Sequence, residues 1–475
     1  MIRRLVAITL ILVAALVPTT ALAQARPGSR VVSTFTLPDT PLGAVQNAKL
    51  AGSISNDRKF LLGGIGSDLW RSSTDPAGEY WMITDRGPND QIRVDNANRR
   101  TFPVPEFTPH ILRVRTEGTA IRVIDSLPIV GQSGKPITGL SNLTRIDETP
   151  YDFAASGTFP FNPNGLDSEG LVRTSAGDFW VADEYSPSII KIDRTGKVVK
   201  RYVPDGFALP GTDYPVATGL PAIHAKRKIN RGYEGIAISA DERTLYIALQ
   251  SPLLNPNAAT GNASRVTRIV AFDIASEKAV AEYAYRFDLA TSGYGSKQTP
   301  DEMKLSGIVV TGPTTMLILE RTDEVAKIYA VDTRGATNLL GSKWNDLATT
   351  PTLESNADPA ALGVTALLKT LVVDLSTLQG VPGKVEGIAI VNDTTIAIAN
   401  DNDFDIGKLD AAGNLIAPGA TKSQLLLVQV QSLLPSPATQ LPRTGSPSDA
   451  LPLLGMLAVA MLVAGRAVQL ARLPR

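Results

Sequence analysis

The sequence predicts an all-β fold: a β-propeller of six blades, with seven blades as the alternative. The main observation is an internal repeat, in which an acidic residue and a glycine precede a run of aliphatic residues. The repeat occurs at 166–172, 232–238 and 385–390, and variants without the acidic residue occur at 62–66 and 305–310. Copies separated by about one supersecondary unit indicate a repeat architecture. These copies, together with an expected hairpin at 113–126, give the six blades.

Short apolar segments bounded by Gly, Pro, Asn or Asp predict the β-strands. They are 80–83, 111–114, 179–181, 189–192, 245–249, 268–272, 316–319, 328–331, 395–398 and 425–430. Turn residues at 241–243 and 391–393 directly follow two of the repeat segments, which gives a strand, a tight turn and a second strand. One helix is expected at 360–372, because an apolar face is made by Val364, Leu367, Leu368, Leu371 and Val372.

Both ends of the chain carry predicted targeting segments. Two arginines precede the apolar run 5–17, and small residues follow at 21–23, which predicts a signal peptide over 1–23. At the other end, Leu441, Pro442, Arg443, Thr444 and Gly445 precede an apolar segment at 450–465 and a basic tail. This arrangement resembles the LPxTG sorting signal of sortase-anchored surface proteins, which implies cleavage after Thr444 and attachment to the cell wall. The alternative is a membrane anchor, although 450–465 is shorter than the roughly 20 residues of a typical transmembrane helix.

The segment between these ends is predicted to be one domain over 24–430, followed by a spacer at 431–440 and the sorting signal at 441–475. The chain has 46 basic and 46 acidic residues, so it offers no basic footprint for nucleic acid. It has no cysteine, which excludes disulfides, thiol catalysis and thiolate zinc sites. With only His110 and His224, a three-histidine metal site is excluded too. For His224 we expect a solvated loop position, with a phosphate contact as the alternative.

The repeated acidic residues are predicted to converge. The first strand of each propeller blade lies beside the central channel, so Glu169, Glu234 and Glu386 are expected at one mouth of it. Such carboxylates repel one another unless a cation, a basic partner or a proton offsets their charge. The alternative is that each Glu-Gly pair only opens a strand, with the glutamate in solvent.

Seven sequence elements carry a resemblance to a known family. In order they are WMITDRGP (81–88), DSEG (167–170), FWVADE (179–184), GYEG (232–235), LER (319–321), VEGI (385–388) and NDNDF (400–404). This series resembles the phytase-like family of secreted bacterial proteins, described as "esterase-like activity of phytase", over roughly 63–404. The resemblance implies hydrolysis of phosphate esters by analogy with calcium-dependent propeller phytases, but a shared fold does not by itself transfer chemistry.

Oxygen-rich side chains make calcium the expected cofactor, since it takes six to eight oxygen ligands and needs neither histidine nor cysteine. The predicted metal ligands are Asp85, Glu169, Asp183, Glu184, Glu234, Glu320, Glu386, Asp401 and Asp403. The predicted catalytic residues are Glu169, Glu234, Glu386, Arg86 and Arg321, with the two arginines gripping a phosphate. The next candidates for binding the phosphate are Lys384, Arg231 and Lys304. The alternative for each basic residue is a local ion pair with a neighbouring acid.

Three functions therefore remain open at this stage. The first is a surface-anchored, divalent-cation-dependent hydrolase of phosphate esters. The second is a non-catalytic, calcium-stabilised propeller that binds a ligand or protein, and the third is a metal-dependent lactonase-like propeller. Basic residues at the channel mouth favour the first, an exposed hydrophobic rim the second and an apolar mouth the third. The expected partners are a small ester substrate, a sortase and the cell envelope, and the chain is expected to be monomeric.

Overall fold

The computed structural model describes residues 28–143, 146–296 and 298–433. The predicted signal peptide, most of the spacer and the whole of the predicted sorting signal with its apolar segment lie outside these ranges. Those assignments stay predictions. Within the described ranges, no helix has both the length and the apolar composition that crossing a bilayer requires.

Twenty-six strands and two short α-helices make up the regular structure of the described residues. The strands are β1 (Arg30–Thr36), β2 (Asp68–Trp70), β3 (Glu79–Ile83), β4 (Asp90–Val94), β5 (Ala97–Thr101), β6 (His110–Glu117), β7 (Ala120–Pro128), β8 (Pro150–Tyr151), β9 (Ser168–Arg173), β10 (Phe179–Asp183), β11 (Ser188–Ile192), β12 (Val198–Pro204), β13 (Val216–Leu220), β14 (Tyr233–Ile238), β15 (Thr244–Leu249), β16 (Val266–Asp273), β17 (Lys278–Arg286), β18 (Lys304–Val310), β19 (Thr315–Arg321), β20 (Ala326–Asp332), β21 (Leu368–Asp374), β22 (Val385–Asn392), β23 (Thr395–Asn400), β24 (Lys408–Leu409), β25 (Leu415–Ala417) and β26 (Gln424–Gln429). The helices are α1 (Leu42–Lys49) and α2 (Ala258–Ala263), and short 3₁₀ turns occur at Ala222–Lys226, Pro300–Glu302, Lys343–Asn345, Leu353–Ser355, Pro359–Leu362, Leu375–Thr377 and Asp403–Asp405.

These strands form a ring of blades, which confirms the predicted all-β propeller. The blades are β2-β3-β6-β7, β9-β10-β11-β12 with β13 added at its outer edge, β14-β15-β16-β17, β18-β19-β20-β21 and β22-β23-β26-β1. The first strand of each blade contacts the first strands of the two neighbouring blades, so β2, β9, β14, β18 and β22 close into a ring. All ten strands predicted from the sequence are present. Apolar layers fill the spaces between adjacent blades.

The described residues contain five blades, so the expected count of six is corrected. The hairpin at 113–126 does not begin a blade of its own: β6 and β7 are the third and fourth strands of the first blade. An inserted hairpin, β4-β5, separates them from β3 along the chain and pairs with β8 at the rim. Because of this insertion, the second half of the first blade resembles a separate repeat in the sequence.

The ring is closed by the start and the end of the domain. Strand β1 pairs antiparallel with β26 and thereby completes the fifth blade. At its last residue, Thr36, it also reaches Ala120 of the first blade. The two ends of the described chain are thus joined where the fifth blade meets the first.

The glycine of each repeat lies where two inner strands approach closely. A Cβ atom on Gly235 would lie 2.3 Å from the carbonyl oxygen of Ser306 on the neighbouring blade. A Cβ atom on Gly170 would lie 2.6 Å from the carbonyl oxygen of Glu234. No side chain larger than hydrogen fits at that separation, so the repeat keeps glycine for packing between blades.

The acidic residue of the repeat lies in a β-bulge. Pairing of β14 with β15 passes from Tyr233 directly to Gly235, and pairing of β22 with β23 passes from Val385 directly to Gly387. Glu234 and Glu386 are therefore the extra residues of their strands. A bulge redirects the side chain of its extra residue, and here it turns the glutamates towards the channel mouth.

The predicted helix at 360–372 is wrong. Only Pro359–Leu362 forms a short 3₁₀ turn, and Leu368–Asp374 forms strand β21 beside β20. Strand β21 carries the β-branched residues Thr370, Val372 and Val373, which fit a pleated sheet better than a helix. Leu368, counted as part of the apolar helix face, is 69% exposed.

Candidate functional site

A cavity of about 600 Å³ lies at the mouth of the channel where the inner strands begin. It is lined by ten acidic and six basic side chains. The predicted residues among them are Asp85, Arg86, Glu169, Glu184, Glu234, Arg321, Glu386, Asp401 and Asp403, together with the next candidates Arg231, Lys304 and Lys384. The structure thus brings most of the predicted site into one place.

The three repeat glutamates form the centre of this cavity. Carboxylate oxygens of Glu169, Glu234 and Glu386 all lie within 4.8 Å of one another. The three residues are 8%, 1% and 2% exposed, so the alternative of solvated glutamates is wrong. Burial raises the pKa of Glu169, and the charge of Glu234 raises it further. Burial also raises the pKa of Glu386, against the opposite effects of Arg321 and Lys384.

Hydrogen bonds occupy some oxygens of these glutamates and leave another without a donor. Glu234 Oε1 accepts from the Ser306 hydroxyl at 2.9 Å and from Arg321 at 3.2 Å, and its Oε2 accepts from the Gln250 amide. Glu386 Oε1 accepts from Arg321. In the part of the chain that the structure describes, Glu386 Oε2 and Gln250 Oε1 are buried and have no hydrogen-bond partner.

Two further carboxylate groups adjoin the central one. Oxygens of Asp85, Asp167 and Glu169 lie within 4.8 Å of one another, so Glu169 belongs to both this group and the central one. Asp167 Oδ2 accepts from Arg86 at 2.8 Å, whereas Oδ1 has no partner among the described residues. Burial raises the pKa of Asp167.

The third group consists of Asp85, Asp401 and Asp403. The Lys384 ammonium lies 2.5 Å from Asp401 and also pairs with Asp403. Burial raises the pKa of Asp401 to about 7 despite the opposing charge of Lys384. Lys384 is therefore committed to this acidic group.

Arg86 and Arg321 are held by carboxylates, as the ion-pair alternative expects, and most of these partners are distant in sequence. Arg86 donates to Asp167 at 2.8 Å, whereas its neighbour Asp85 lies 4.0 Å away. Arg321 pairs with Asp323 at 3.0 Å, with Glu234 at 3.2 Å and with Glu386. Both guanidinium groups are thus built into the carboxylate network.

The structure places two of the predicted metal ligands outside the cavity, which corrects the prediction that they join the cluster. Asp183 pairs with Arg201 and accepts from the Ser188 hydroxyl at 2.9 Å. The physical reason is the pleat: neighbouring residues of a strand point to opposite faces, so Glu184 faces the cavity while Asp183 faces away.

Glu320 also faces away from the cavity, for the same reason. It accepts from the hydroxyls of Tyr285 at 2.5 Å and Tyr294 at 2.6 Å, and it pairs with Lys369 at 2.7 Å. Its neighbour Arg321 lines the cavity. Glu320 thus stabilises contacts within and between blades.

Sequence reasoning missed Asp167, Gln250 and Asp323. Asp167 lies in the DSEG motif, but only Glu169 of that motif occupies the position at which glutamate recurs in other blades. Gln250 directly follows the second strand of the third blade, β15, the same place that Glu184 and Asp401 hold in their blades. A search for polar residues at that position, rather than for acids alone, would have found it.

Both histidines lie away from the cavity lining. His224 is fully buried, with Nδ1 2.6 Å from the Tyr233 hydroxyl and Nε2 2.7 Å from Glu282. The expected solvated loop position is therefore wrong. The phosphate contact is wrong as well, because both ring nitrogens are taken by protein partners.

The opposite mouth of the channel has a different character. A cavity of about 500 Å³ there is walled largely by aliphatic residues such as Ile238, Val309 and Ile390. Between the two mouths, buried Asp68 accepts backbone hydrogen bonds from Leu69 and Leu171 at 2.8 Å each. The ionic cavity is thus confined to one end of the propeller.

Comparison with known proteins places these observations in context. The family model described as "Phytase-like: Esterase-like activity of phytase" matches residues 62–404. An uncharacterized secreted protein of Arthroderma benhamiae is 27% identical over 285 residues, which cover 52% of this chain and 55% of that protein. The match thus spans about half the length of this curated relative.

Solved structures similar to this chain include three further proteins. A periplasmic gluconolactonase of Pseudomonas aeruginosa is 10% identical, with coverage of 77% and 88% of the two chains and a TM-score of 0.30. The calcium-binding protein regucalcin of Agrobacterium tumefaciens is 11% identical, with coverage of 84% and 96% and a TM-score of 0.30. A PQQ-bound aldose sugar dehydrogenase of Streptomyces coelicolor is 9% identical, with coverage of 86% and 100% and a TM-score of 0.32. At these TM-scores, the likenesses carry no argument about chemistry.

Proposed function

We propose that this chain, which belongs to the phytase-like family, is an exported hydrolase that cleaves phosphate esters with the aid of divalent cations. The observation that carries the proposal is a single cavity that combines buried carboxylate oxygens lacking donors with several basic side chains. The first feature suits a cation, and the second suits an anionic substrate.

The cavity fits a hard cation such as calcium. Glu386 Oε2 and Gln250 Oε1, from residues that line the cavity, and Asp167 Oδ1, from the adjoining carboxylate group, are acceptors unless a carboxyl is protonated. None of them has a donor within the described residues. A buried acceptor without a partner is costly, so each such atom calls for a ligand or a bound water. Calcium binds carboxylate and amide oxygens, and no histidine lines this cavity.

Two overlapping groups of residues would hold such cations. Glu169, Glu234 and Glu386 would form one site. Asp85 and Asp167 would form the other, with Glu169 shared between them. When bound, a divalent cation supplies Lewis-acid stabilisation of the charge that develops on a transferring phosphoryl group.

The chain's own residues hold the ligand oxygens in place before any ligand arrives. Arg321 binds Glu234 and Glu386 together. The Gln250 amide donates to Glu184 at 2.5 Å and also to Glu234. Such fixed carboxylates and donors require little rearrangement during a reaction, which favours catalysis.

The ionic character of this mouth favours a phosphate ester over a lactone. Six basic side chains line the cavity, whereas the aliphatic mouth lies at the opposite end of the channel. Export is supported by the predicted signal peptide and by the relative described as secreted. Attachment to the cell wall through Leu441 to Gly445 rests on the sequence alone.

The proposal is tested with a panel of phosphomonoesters, with calcium and with a chelator. We expect hydrolysis that requires the cation. Glu386→Gln removes one charge from the central group, and it should raise the calcium concentration for half-maximal activity about tenfold or more. Excess calcium should restore part of the activity.

The matched control is Glu106→Gln, which neutralises an exposed glutamate outside the cavity lining. It should leave the calcium requirement unchanged. No cation-dependent hydrolysis of any ester by the wild-type protein would overturn the proposal. Calcium-dependent stabilisation without hydrolysis would then favour the non-catalytic binding propeller.

A further inference from the structure

We propose that Arg231, with Lys304 beside it, forms the anion-binding subsite that holds the substrate's phosphate group in the cavity. This inference rests on the proposed function for the identity of the anion. It assigns phosphate binding to a residue pair other than Arg86 and Arg321, the pair that the sequence favours.

Arg231 differs from the other cavity arginines in lacking a carboxylate partner. Its Nη1 donates to the Ser251 hydroxyl at 2.9 Å and to the Asp301 carbonyl oxygen at 3.3 Å. Across the described ranges, no carboxylate lies within 4.0 Å of its guanidinium group. Arg86 and Arg321, by contrast, each hold at least one buried carboxylate.

The unused side of this guanidinium has the right geometry for a phosphate. Both hydrogen bonds to protein acceptors use Nη1, so Nε and Nη2 have no acceptor among the described residues. These two nitrogens form the edge that binds two phosphate oxygens with parallel hydrogen bonds. Phosphate would therefore take the position that a carboxylate takes on the other arginines.

Arg231 interacts electrostatically with the basic residues Lys228, Lys304 and Arg321 as well as with the carboxylates of Glu184, Asp323 and Glu234. Lys304 and Arg321 share one carboxylate, since both reach Asp323 Oδ1, at 2.5 Å and 3.0 Å. Burial and the charges of Arg321 and Arg231 together lower the pKa of Lys304 to about 8, against the opposite effect of Asp323. Burial also lowers the pKa of Lys228, and the charge of Arg231 lowers it further. An anion bound here would relieve this repulsion.

Local structure places Arg231 next to the carboxylate centre. It precedes Glu234 by three residues, and its anchor Ser251 directly follows Gln250, which donates to Glu234. The backbone between Arg231 and Glu234 is closely packed, because a Cβ atom on Gly232 would lie 2.3 Å from the carbonyl oxygen of Glu184. A phosphate on Arg231 would thus lie on the same cavity wall as the proposed cation site.

The test measures the binding of inorganic phosphate to the full chain by isothermal titration calorimetry, with and without calcium. We expect the wild-type protein to bind phosphate and Arg231→Gln to bind it at least tenfold more weakly. Arg231→Lys retains the charge but loses the paired donors, so it should fall between the two. Arg194→Gln, at an exposed turn outside the cavity lining, should bind like the wild type.

The outcomes separate this inference from the proposed function. Undiminished phosphate binding by Arg231→Gln, or no binding by the wild-type protein at millimolar phosphate, would overturn the subsite. Cation-dependent hydrolysis with an unchanged KM in Arg231→Gln would overturn the subsite and leave the proposed function standing. Phosphate binding that depends on Arg231 without any hydrolysis would support the subsite and overturn the proposed function. Unchanged melting temperatures of the variants exclude misfolding as the cause, and Arg231→Lys supplies the comparison if Arg231→Gln does not fold.

Discussion

Ser306 shows how a single residue changes the charge of the cavity. It occupies, in the fourth blade, the repeat position that glutamate occupies in the second, third and fifth. Its hydroxyl lies 2.9 Å from Glu234 and 2.6 Å from Arg321 Nε. The fourth blade thus contributes a cation, Arg321, where the other three contribute a carboxylate. This exchange offsets the repulsion among the remaining glutamates.

His110 leads to a prediction about pH. Its ring is 2% exposed, and Nε2 has no partner in the described part of the chain. Burial lowers the pKa of His110 from 6.5 to about 4. Because the pKa is lower in the folded state, the stability from this group is complete above pH 6.5. It is lost as the pH falls towards 4, by about 3 kcal/mol in all.

We therefore expect His110→Asn to flatten the acid side of the stability curve. The free energy of unfolding, measured with urea at several pH values, should fall less between pH 7 and pH 4.5 than it does in the wild type. Titration of the carboxylates affects both proteins, so the difference between their curves isolates the imidazole. Parallel curves would contradict the prediction.

At the scale of the strand, one repeat serves two separate purposes. Its glycine lets adjacent inner strands touch, and its bulge turns the preceding glutamate towards the mouth. The sequence predicted both the inner strands and the meeting of their glutamates, because equivalent positions recur in equivalent blades. It could not predict which of two adjacent acids at a strand end faces the cavity, as with Asp183 and Glu184. Pleat orientation depends on bulges and register, which single segments do not reveal.

Gly235→Ala tests the packing of inner strands. The new Cβ would lie 2.3 Å from the Ser306 carbonyl oxygen, so β14 and β18 would have to move apart. We expect a loss of about 1–3 kcal/mol in the free energy of unfolding. The control is Gly312→Ala, whose Cβ would meet only the Thr315 hydroxyl at 2.8 Å, at the end of a side chain that can rotate. Equal melting temperatures for the two variants would show that the inner strands can accommodate a methyl group at position 235.

At the scale of the whole molecule, closure of the ring supports the cavity. The fifth blade contributes Glu386, Lys384 and Asp401 to it, and the outermost strand of that blade is β1 from the other end of the domain. The number of blades cannot be counted without knowing how the ring closes. Neither the hairpin at 113–126 nor the apolar segment of β1 shows in sequence which blade it completes, because each is paired only by the folded ring.

The last prediction concerns that closure. Thr36 donates its N–H to Thr119 of the first blade, and Leu37 donates to Ser423, which precedes β26. Since N–H groups alternate in direction along a strand, Ser33 donates towards β26 and Thr34 points away from it. Proline at 33 would remove a hydrogen bond of the closing sheet, whereas proline at 34 would replace an N–H that faces away from β26. We expect Ser33→Pro to lower the free energy of unfolding by about 1–3 kcal/mol, and Thr34→Pro to lower it by clearly less. Urea denaturation of the full chain measures both values, and equal losses would mean that the β1–β26 pairing does not hold the ring closed.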